Sequence, residues 1–311
     1  MQDLIRIGTR GSQLAVAQSA DIKKRIENHY PDVRVELVKI VTKGDKIIDV
    51  PLAKVGGKGL FVKEIEEAML RGEIDLAVHS MKDVPAELPD ELHLGIITRR
   101  EDPRDAFISL DYAGFDQLPD GARVGTSSLR RRSQLINLRS DLVIEDLRGN
   151  LDTRLRKLAE GRYDAVILAS AGLNRLNMSD KVSSYFSVSE MLPAVGQGAV
   201  GIELRRADKE LLAGLDFMAD PETAVTVIAE RAFLDRLEGG CQVPIGAFAE
   251  LKGDKLFLNG LIAAVDGSGI IREEVSGPAD DPSGLGRFLA ERLLDLGGKE
   301  ILADVYGREM G

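Results

Sequence analysis

Tryptophan is absent, and the 311 residues include one cysteine and three histidines. A single thiol, Cys241, cannot close an intramolecular disulfide or build a cysteine-based zinc cluster. His29, His79 and His93 are scattered without paired spacing, so no metal site is expected. Aromatics are few, 5 Tyr and 9 Phe, which leaves little to stack on nucleic-acid bases. Long apolar runs are missing, and no membrane span is expected. The segment Met1-Gln2-Asp3-Leu4-Ile5-Arg6 lacks the apolar stretch of a signal peptide, and the acids among residues 1–30 are foreign to transit peptides. The expected compartment is the reducing cytoplasm. With 41 basic against 51 acidic residues, the net charge is −10, which argues against nucleic acid or an anionic membrane as a partner of the outer surface.

What is present is ordinary for a globular chain: 44% hydrophobic and 30% charged residues. The length predicts two or three domains. The basic residues divide into 26 Arg and 15 Lys. Arginine makes flat, bidentate contacts with carboxylates and phosphates, whereas lysine is nearer to a point charge. An acidic chain rich in arginine therefore suggests arginines gathered around an anionic ligand.

Strand and helix signals alternate along the first two thirds. Val33–Ile40 reads as a strand, Val62, Ile65 and Met69 fall at helical spacing before Gly72, and Ile74–His79 reads as a buried strand. This βαβ rhythm predicts α/β lobes with largely parallel sheets. Two echoes occur in the same order. Arg6-Ile7-Gly8-Thr9 before Ser12-Gln13-Leu14 matches Arg123-Val124-Gly125-Thr126 before Ser133-Gln134-Leu135. Gly72-Glu73-Ile74-Asp75-Leu76-Ala77-Val78 matches Gly161-Arg162-Tyr163-Asp164-Ala165-Val166. Two similar lobes with a ligand cleft are expected. Linker signals fall at 98–103 and 191–198. A third region opens at Asp220-Pro221 with a helix through Ala224, Ile228, Phe233 and Leu237. Strands around 256–265 and 270–275 and a last helix through Leu285, Phe288, Leu289 and Leu293 follow.

Some motifs carry little. Gly196-Gln197-Gly198-Ala199-Val200-Gly201 fits the dinucleotide fingerprint but follows Leu192-Pro193 and enters a strand, so it reads as a turn. Gly56-Gly57-Lys58-Gly59 is no P-loop, and the Gly/Lys-rich segment 42–59 reads as a mobile flap or a plain loop. Arginine is more informative. Between Gly121 and Arg156 lie eight Arg and no Lys against four acids, a local excess of four positive charges. Thr126-Ser127-Ser128 precedes a helix predicted over 129–138, so its hydroxyls and backbone N–H groups suit an anion. Arg130, Arg131 and Arg132 are separated by about 100° each on that helix and cannot all face one point. Arg148 and Arg154 follow, and Arg10 and Ser12 occupy the matching turn of the first lobe. The alternative is a solvated basic face. Ser80-Met81-Lys82-Asp83-Val84-Pro85 follows a buried strand, where Lys82 suits an anion and Asp83 suits acid/base work, or the two form a turn ion pair. Cys241 lies in Glu238-Gly239-Gly240-Cys241-Gln242-Val243-Pro244, a loop that lets backbone approach a ligand; it is an attachment point or an inert thiol.

Six ordered segments together resemble the porphobilinogen deaminase (hydroxymethylbilane synthase) family. They are Pro51–Phe61, His79–Pro85, Gly125–Arg131, Arg148-Gly149-Asn150, Leu192–Gly198 and Glu238–Pro244. The resemblance implies two α/β lobes like those of periplasmic binding proteins, with a cleft between them, plus a smaller α+β C-terminal domain. The corresponding boundaries are 1–98 with 199–217, then 104–193, then 221–311. It implies a transferase that joins four porphobilinogen molecules head to tail, releasing four ammonia and linear hydroxymethylbilane. Growth takes place on a dipyrromethane cofactor held as a thioether on Cys241. Six pyrroles carry twelve carboxylates, for which Arg10, Arg130, Arg131, Arg148, Arg154 and Arg175 are the implied cations, with Lys82. Ser12, Thr126, Ser127, Ser128, Gln18, Gly149 and Gln197 are implied neutral contacts, and Lys54, Lys58 and Phe61 belong to the flap. Asp83 matches the catalytic carboxylate, able to stabilise the cationic methylene pyrrolenine left by ammonia loss and to manage protons. Gln13 stands where many relatives have Pro, and Leu204 where some have a second cysteine. The resemblance also implies a monomer with a small-molecule substrate. A non-catalytic carboxylate-binding protein would explain the arginines without needing Cys241 or Asp83.

Overall fold

The computed structural model describes residues 3–46, 62–85, 87–238 and 243–309. The described chain divides into two compact units. One comprises residues 3–46, 62–85, 87–101 and 199–224, and the other residues 102–198, 225–238 and 243–309. Among the described residues no helix is long and apolar enough to cross a membrane.

In the first unit, β1 (Leu4–Thr9) leads through helix α1 (Gln13–His29) to β2 (Arg34–Lys39) and the single turn α2 (Lys43–Lys46). Helix α3 (Lys63–Leu70) then feeds β3 (Leu76–Ser80), followed by β4 (Leu92–Ile97). Strand β10 (Val200–Arg205) and helix α7 (Lys209–Leu215) return from later in the chain. The sheet order is β2-β1-β3-β10-β4. Strands β1, β2 and β3 are parallel, and β10 runs antiparallel to both its neighbours, with a register shift between Ile202 and Glu203 against β4. Ile22 and Ile26 of α1 pack on Ile5, Ile7, Leu76 and Ile202 on one face. Ile65 and Met69 of α3 pack on Ala77 on the other. The predicted spacing of Ile65 and Met69 is thus the buried stripe of α3, an amphipathic helix.

The second unit repeats the plan. Its strands are β5 (Asp105–Ile108), β6 (Arg123–Gly125), β7 (Val143–Glu145), β8 (Ala165–Ala169) and β9 (Ser184–Tyr185), in the order β7-β6-β8-β5-β9. Helices α4 (Leu129–Leu138), α5 (Leu151–Ala159) and α6 (Ser170–Arg175) connect them. Again three strands are parallel and the fourth, β5, is antiparallel to its neighbours.

The sequence echoes are backbone joints. Gly72 and Gly161 both sit at φ +70°, each just beyond a helix, where a side chain would be strained. The N–H groups of Gly72 and Glu73 reach Met69 O and Ala68 O, and those of Gly161 and Arg162 reach Leu158 O and Lys157 O. Asp75 then accepts the Arg6 N–H at 2.8 Å, as Asp164 accepts the Arg123 N–H at 2.6 Å. The two aspartates pin the entry of β3 to β1 and of β8 to β6.

The remainder of the second unit is an antiparallel meander, β11 (Ile245–Lys252), β12 (Lys255–Ala263) and β13 (Ile270–Pro278). Helices α8 (Pro221–Arg236), α9 (Pro282–Leu293) and α10 (Lys299–Glu309) accompany it. Phe233, Ala247, Leu258, Ile262, Leu289 and Leu293 form its core. Strand β11 and helix α10 go beyond the sequence reading. The buried positions of β11 include Ala247 and Ala249, too small to mark an alternating strand.

Close helix packing here depends on Gly286. A Cβ at this position would overlap the Ala229 carbonyl oxygen and lie 2.9 Å from Phe233 N. Gly286→Ala is expected to destabilise the protein by about 1–3 kcal/mol. Gly307→Ala, where a Cβ meets nothing within 4 Å, is expected to leave stability unchanged or slightly raised. Paired urea or thermal melts check both.

Candidate functional site

Parallel neighbours place their carboxyl ends on one side of a sheet, where α/β folds bind ligands. In the first unit β1 ends just before Arg10 and β3 just before the turn Met81–Asp83. Ser12 caps α1 by accepting the Ala15 N–H at 3.3 Å. Arg10, Ser12, Gln18, His79, Ser80 and Asp83 border one pocket of about 60 Å³. Four of the residues singled out from sequence, Arg10, Ser12, Gln18 and Asp83, are therefore brought together. Lys82 lies in the same turn, between buried Met81 and Asp83.

Local bonds fix this pocket. The Gln18 amide donates to Ser80 Oγ at 2.9 Å. Arg10 donates through Nε to Asp45 Oδ1 at 3.1 Å. Asp45 also accepts from the Thr42 hydroxyl at 2.8 Å. Partial burial disfavours the Asp45 charge, but Arg10 and Thr42 hold its carboxyl below the usual range.

Beneath the pocket lies a group that the sequence reading missed. Buried His79 meets Glu203 of β10, Nε2 to Oε2, at 2.8 Å. Glu66 of α3 is buried too, and burial, with Glu203 nearby, pushes its carboxyl up to about 7 against the opposing pull of His79. Among the described residues, Glu66 Oε1 and Glu203 Oε1 are buried without a hydrogen-bond partner. The available signal was the acidic Glu203 inside the otherwise apolar run Val200–Leu204.

In the second unit the corresponding strand ends carry hydroxyls. Ser128 caps α4 by accepting the Arg131 N–H at 3.4 Å, and Thr126 Oγ1 accepts the Ser128 N–H at 3.2 Å. Ser127 donates to Leu147 O at 2.9 Å. Asn150 caps α5. Gly149 is exposed at φ +109°, a conformation that favours glycine. Arg154 Nε donates to Gly149 O at 2.8 Å, and the Arg148 carbonyl accepts from Lys157 at 3.1 Å. Arg175 donates to Gly198 O at 2.6 Å.

Arg130 and Arg131 turn inward. Arg130 donates to Asp105 Oδ2 at 2.8 Å and to Leu192 O at 2.6 Å. Arg131 takes Asp105 Oδ1 at 2.7 Å through one terminal nitrogen and Ile167 O at 3.0 Å through the other. Gln197 adds an amide donor to Asp105 at 2.9 Å. Arg132 faces elsewhere, donating to Ile144 O, as the helical swing requires. Burial alone would neutralise Asp105. The two guanidiniums instead hold its carboxyl far below the ordinary range. Two cations around one anion leave one positive charge in excess, and among the described residues Arg130 Nε is buried without a partner.

Cys241 and the flap residues Lys54, Lys58 and Phe61 lie outside the described residues, as do positions 47–59 of the proposed flap.

Asp105→Ala would strand two buried guanidiniums. A loss of about 3–5 kcal/mol is expected, checked by the shift in urea denaturation midpoint.

The family model described as porphobilinogen deaminase, dipyromethane cofactor binding domain, matches residues 5–213, and that of the porphobilinogen deaminase C-terminal domain matches residues 224–295. The chain is 59% identical to the porphobilinogen deaminase of Geobacter sulfurreducens over 306 residues, covering 98% of this chain and 96% of that protein. It is 58% identical to that of Trichlorobacter lovleyi, covering 98% of each. Among solved structures, the methionine binding protein MetQ aligns at 15% identity and a TM-score of 0.45, over 68% of this chain and 88% of that one.

Proposed function

Because the chain belongs to the porphobilinogen deaminase family, we propose that it joins four porphobilinogen molecules head to tail and releases four ammonia and linear hydroxymethylbilane. The dipyrromethane cofactor serves as the covalent primer on which the chain grows. The observation that carries the site reading is the pocket shared by Arg10, Ser12, Gln18 and Asp83. A non-catalytic carboxylate binder has no use for a carboxylate there, since Asp83 would repel its ligand.

In this reading Asp83 holds a carboxylate at the end of β3, next to the place where a pyrrole cation forms and a carbon-bound proton is lost. A fixed anion in a restricted pocket favours that positive charge and accepts the proton. Arg10, Ser12, Gln18 and Lys82 orient the acetate and propionate groups of a pyrrole, as charge-assisted and neutral donors. In the second unit, Thr126, Ser127, Ser128, Arg148, Gly149, Arg154 and Arg175 are proposed for the cofactor and the added rings. The excess charge at Asp105, with an unpartnered Arg130 Nε, fits a dipyrromethane carboxylate. Arg131 and Gln197 act through Asp105, keeping Arg130 in place. Cys241 is the attachment point, and Lys54, Lys58 and Phe61 belong to a flap that excludes water. Three working domains are proposed, 1–98 with 199–217, then 104–193, then 221–311. The enzyme is proposed to act as a cytoplasmic monomer without nucleic acid, the last supported by the net charge of −10.

The intact mass of purified protein is expected to exceed the sequence mass by two linked pyrroles, mapped to the Cys241 peptide. An active but unmodified protein would overturn the attachment. Asp83→Asn is expected to keep the fold and the added mass while lowering turnover by roughly 10²- to 10⁴-fold. Near-normal turnover in that variant would remove Asp83 from its role.

A further inference from the structure

The pocket wall formed by β3 is backed by three acid/base side chains, each from a different element. Glu66 comes from α3, His79 from β3 and Glu203 from β10. All three are at most 8% exposed. His79 is the link, since it borders the pocket on one side and hydrogen-bonds Glu203 on the other. Two carboxylates in one apolar layer are costly unless paired or neutralised. His79 pairs one of them. Among the described residues each glutamate retains a buried oxygen without a partner, so the layer is short of protons and donors rather than of acceptors.

Resting on the function proposed above, we infer that Glu66 is a positioning residue for that reaction, acting through the His79–Glu203 pair on the charge behind the Asp83 pocket. When neutral, Glu66 adds no charge to the pair. When ionised, it places an uncompensated negative charge behind the wall that receives the pyrrole carboxylates, and substrate uptake weakens. Turnover of bound substrate changes less, because Asp83 itself is untouched.

The surrounding charges leave Glu66 as the adjustable member. Glu203 and the neighbouring Glu67 raise its proton affinity, and His79 opposes them. His93 of β4 also acts with Glu203, and Arg206 acts on His93. Arg205 of β10 is committed to Asp208 and lies 3.6 Å from Asp75, which also pairs with Arg6. On the pocket rim Arg10 is matched by Asp45. None of these pairs supplies a cation to Glu66. Its carboxyl, pushed up to about 7, changes charge within the working range of a cytoplasmic enzyme.

The test uses the cofactor-loaded enzyme and porphobilinogen, with KM and kcat measured separately from pH 6 to 8.5. The parent KM is expected to rise by about threefold or more as Glu66 ionises, with a smaller change in kcat. In Glu66→Gln, which keeps shape but cannot ionise, that rise is lost. An equal rise in both proteins, or none in the parent, overturns the inference. Should the parent show no deaminase activity at all, the functional reading fails instead. A second readout needs neither turnover nor a well-folded variant. In ¹³C-glutamate-labelled parent, one buried carboxyl resonance should titrate near pH 7, and titration of every glutamate in the ordinary carboxylate range overturns the inference.

Discussion

A carboxylate with no solvent around it must be neutral or surrounded by cations, and Asp105 takes the second course. Its two oxygens are divided between Arg130 and Arg131, successive residues on one helix. Through those guanidiniums the same point holds Ile167 O of β8 and Leu192 O, and through Gln197 it holds the glycine-rich turn after Leu192. Four stretches of chain distant in sequence thus meet at one charge. Apolar replacements of equal volume can match such clusters in stability, so the cluster's distinctive contribution is position. It sets where α4 starts, and with it the capping hydroxyls proposed for the ligand.

The two lobes use opposite charge arithmetic on equivalent strands. On β5 two cations enclose one anion. On β10 a carboxylate meets an imidazole, with a second carboxylate close by. The first arrangement is permanent, because guanidinium does not lose its proton in proteins. In the second, burial pushes the nearby Glu66 carboxyl up to about 7. A further buried acid, Glu230, accepts from Gly196 N at 2.7 Å and Ala249 N at 2.8 Å. It ties the glycine-rich turn to the meander of the second unit.

Much of the fold was legible in residue patterns. The span 129–138 appeared as a helix because three hydroxyls precede it, and α3 because Ile65 and Met69 recur on one face. Strand β5 was hidden by its first residue, since a charged Asp105 reads as the end of a linker. Its burial depends on arginines 25 and 26 positions away, information that no local window holds. The arginine-rich window was visible, but the direction of each side chain was not. Arg130 and Arg131 read as ligand contacts, and the buried Asp105 between them is not visible from sequence. Arg10, Ser12 and Asp83 were legible because each sits just beyond a strand end, whereas Gln18 came only with the family resemblance. Glu66 and His79 were not, because a lone Glu or His on a buried face has no signature.

The matched joints at Gly72 and Gly161 have a consequence for how chemistry is distributed. Each delivers a strand of five residues to the same side of its sheet. Beyond the strand, one copy continues as Met81-Lys82-Asp83 and the other as Ser170-Ala171-Gly172. The frame is written twice, but only the first copy sets an acid within three residues of the strand end. In the reading proposed above, the second copy is left free to be a holder, and its helix closes on Arg175.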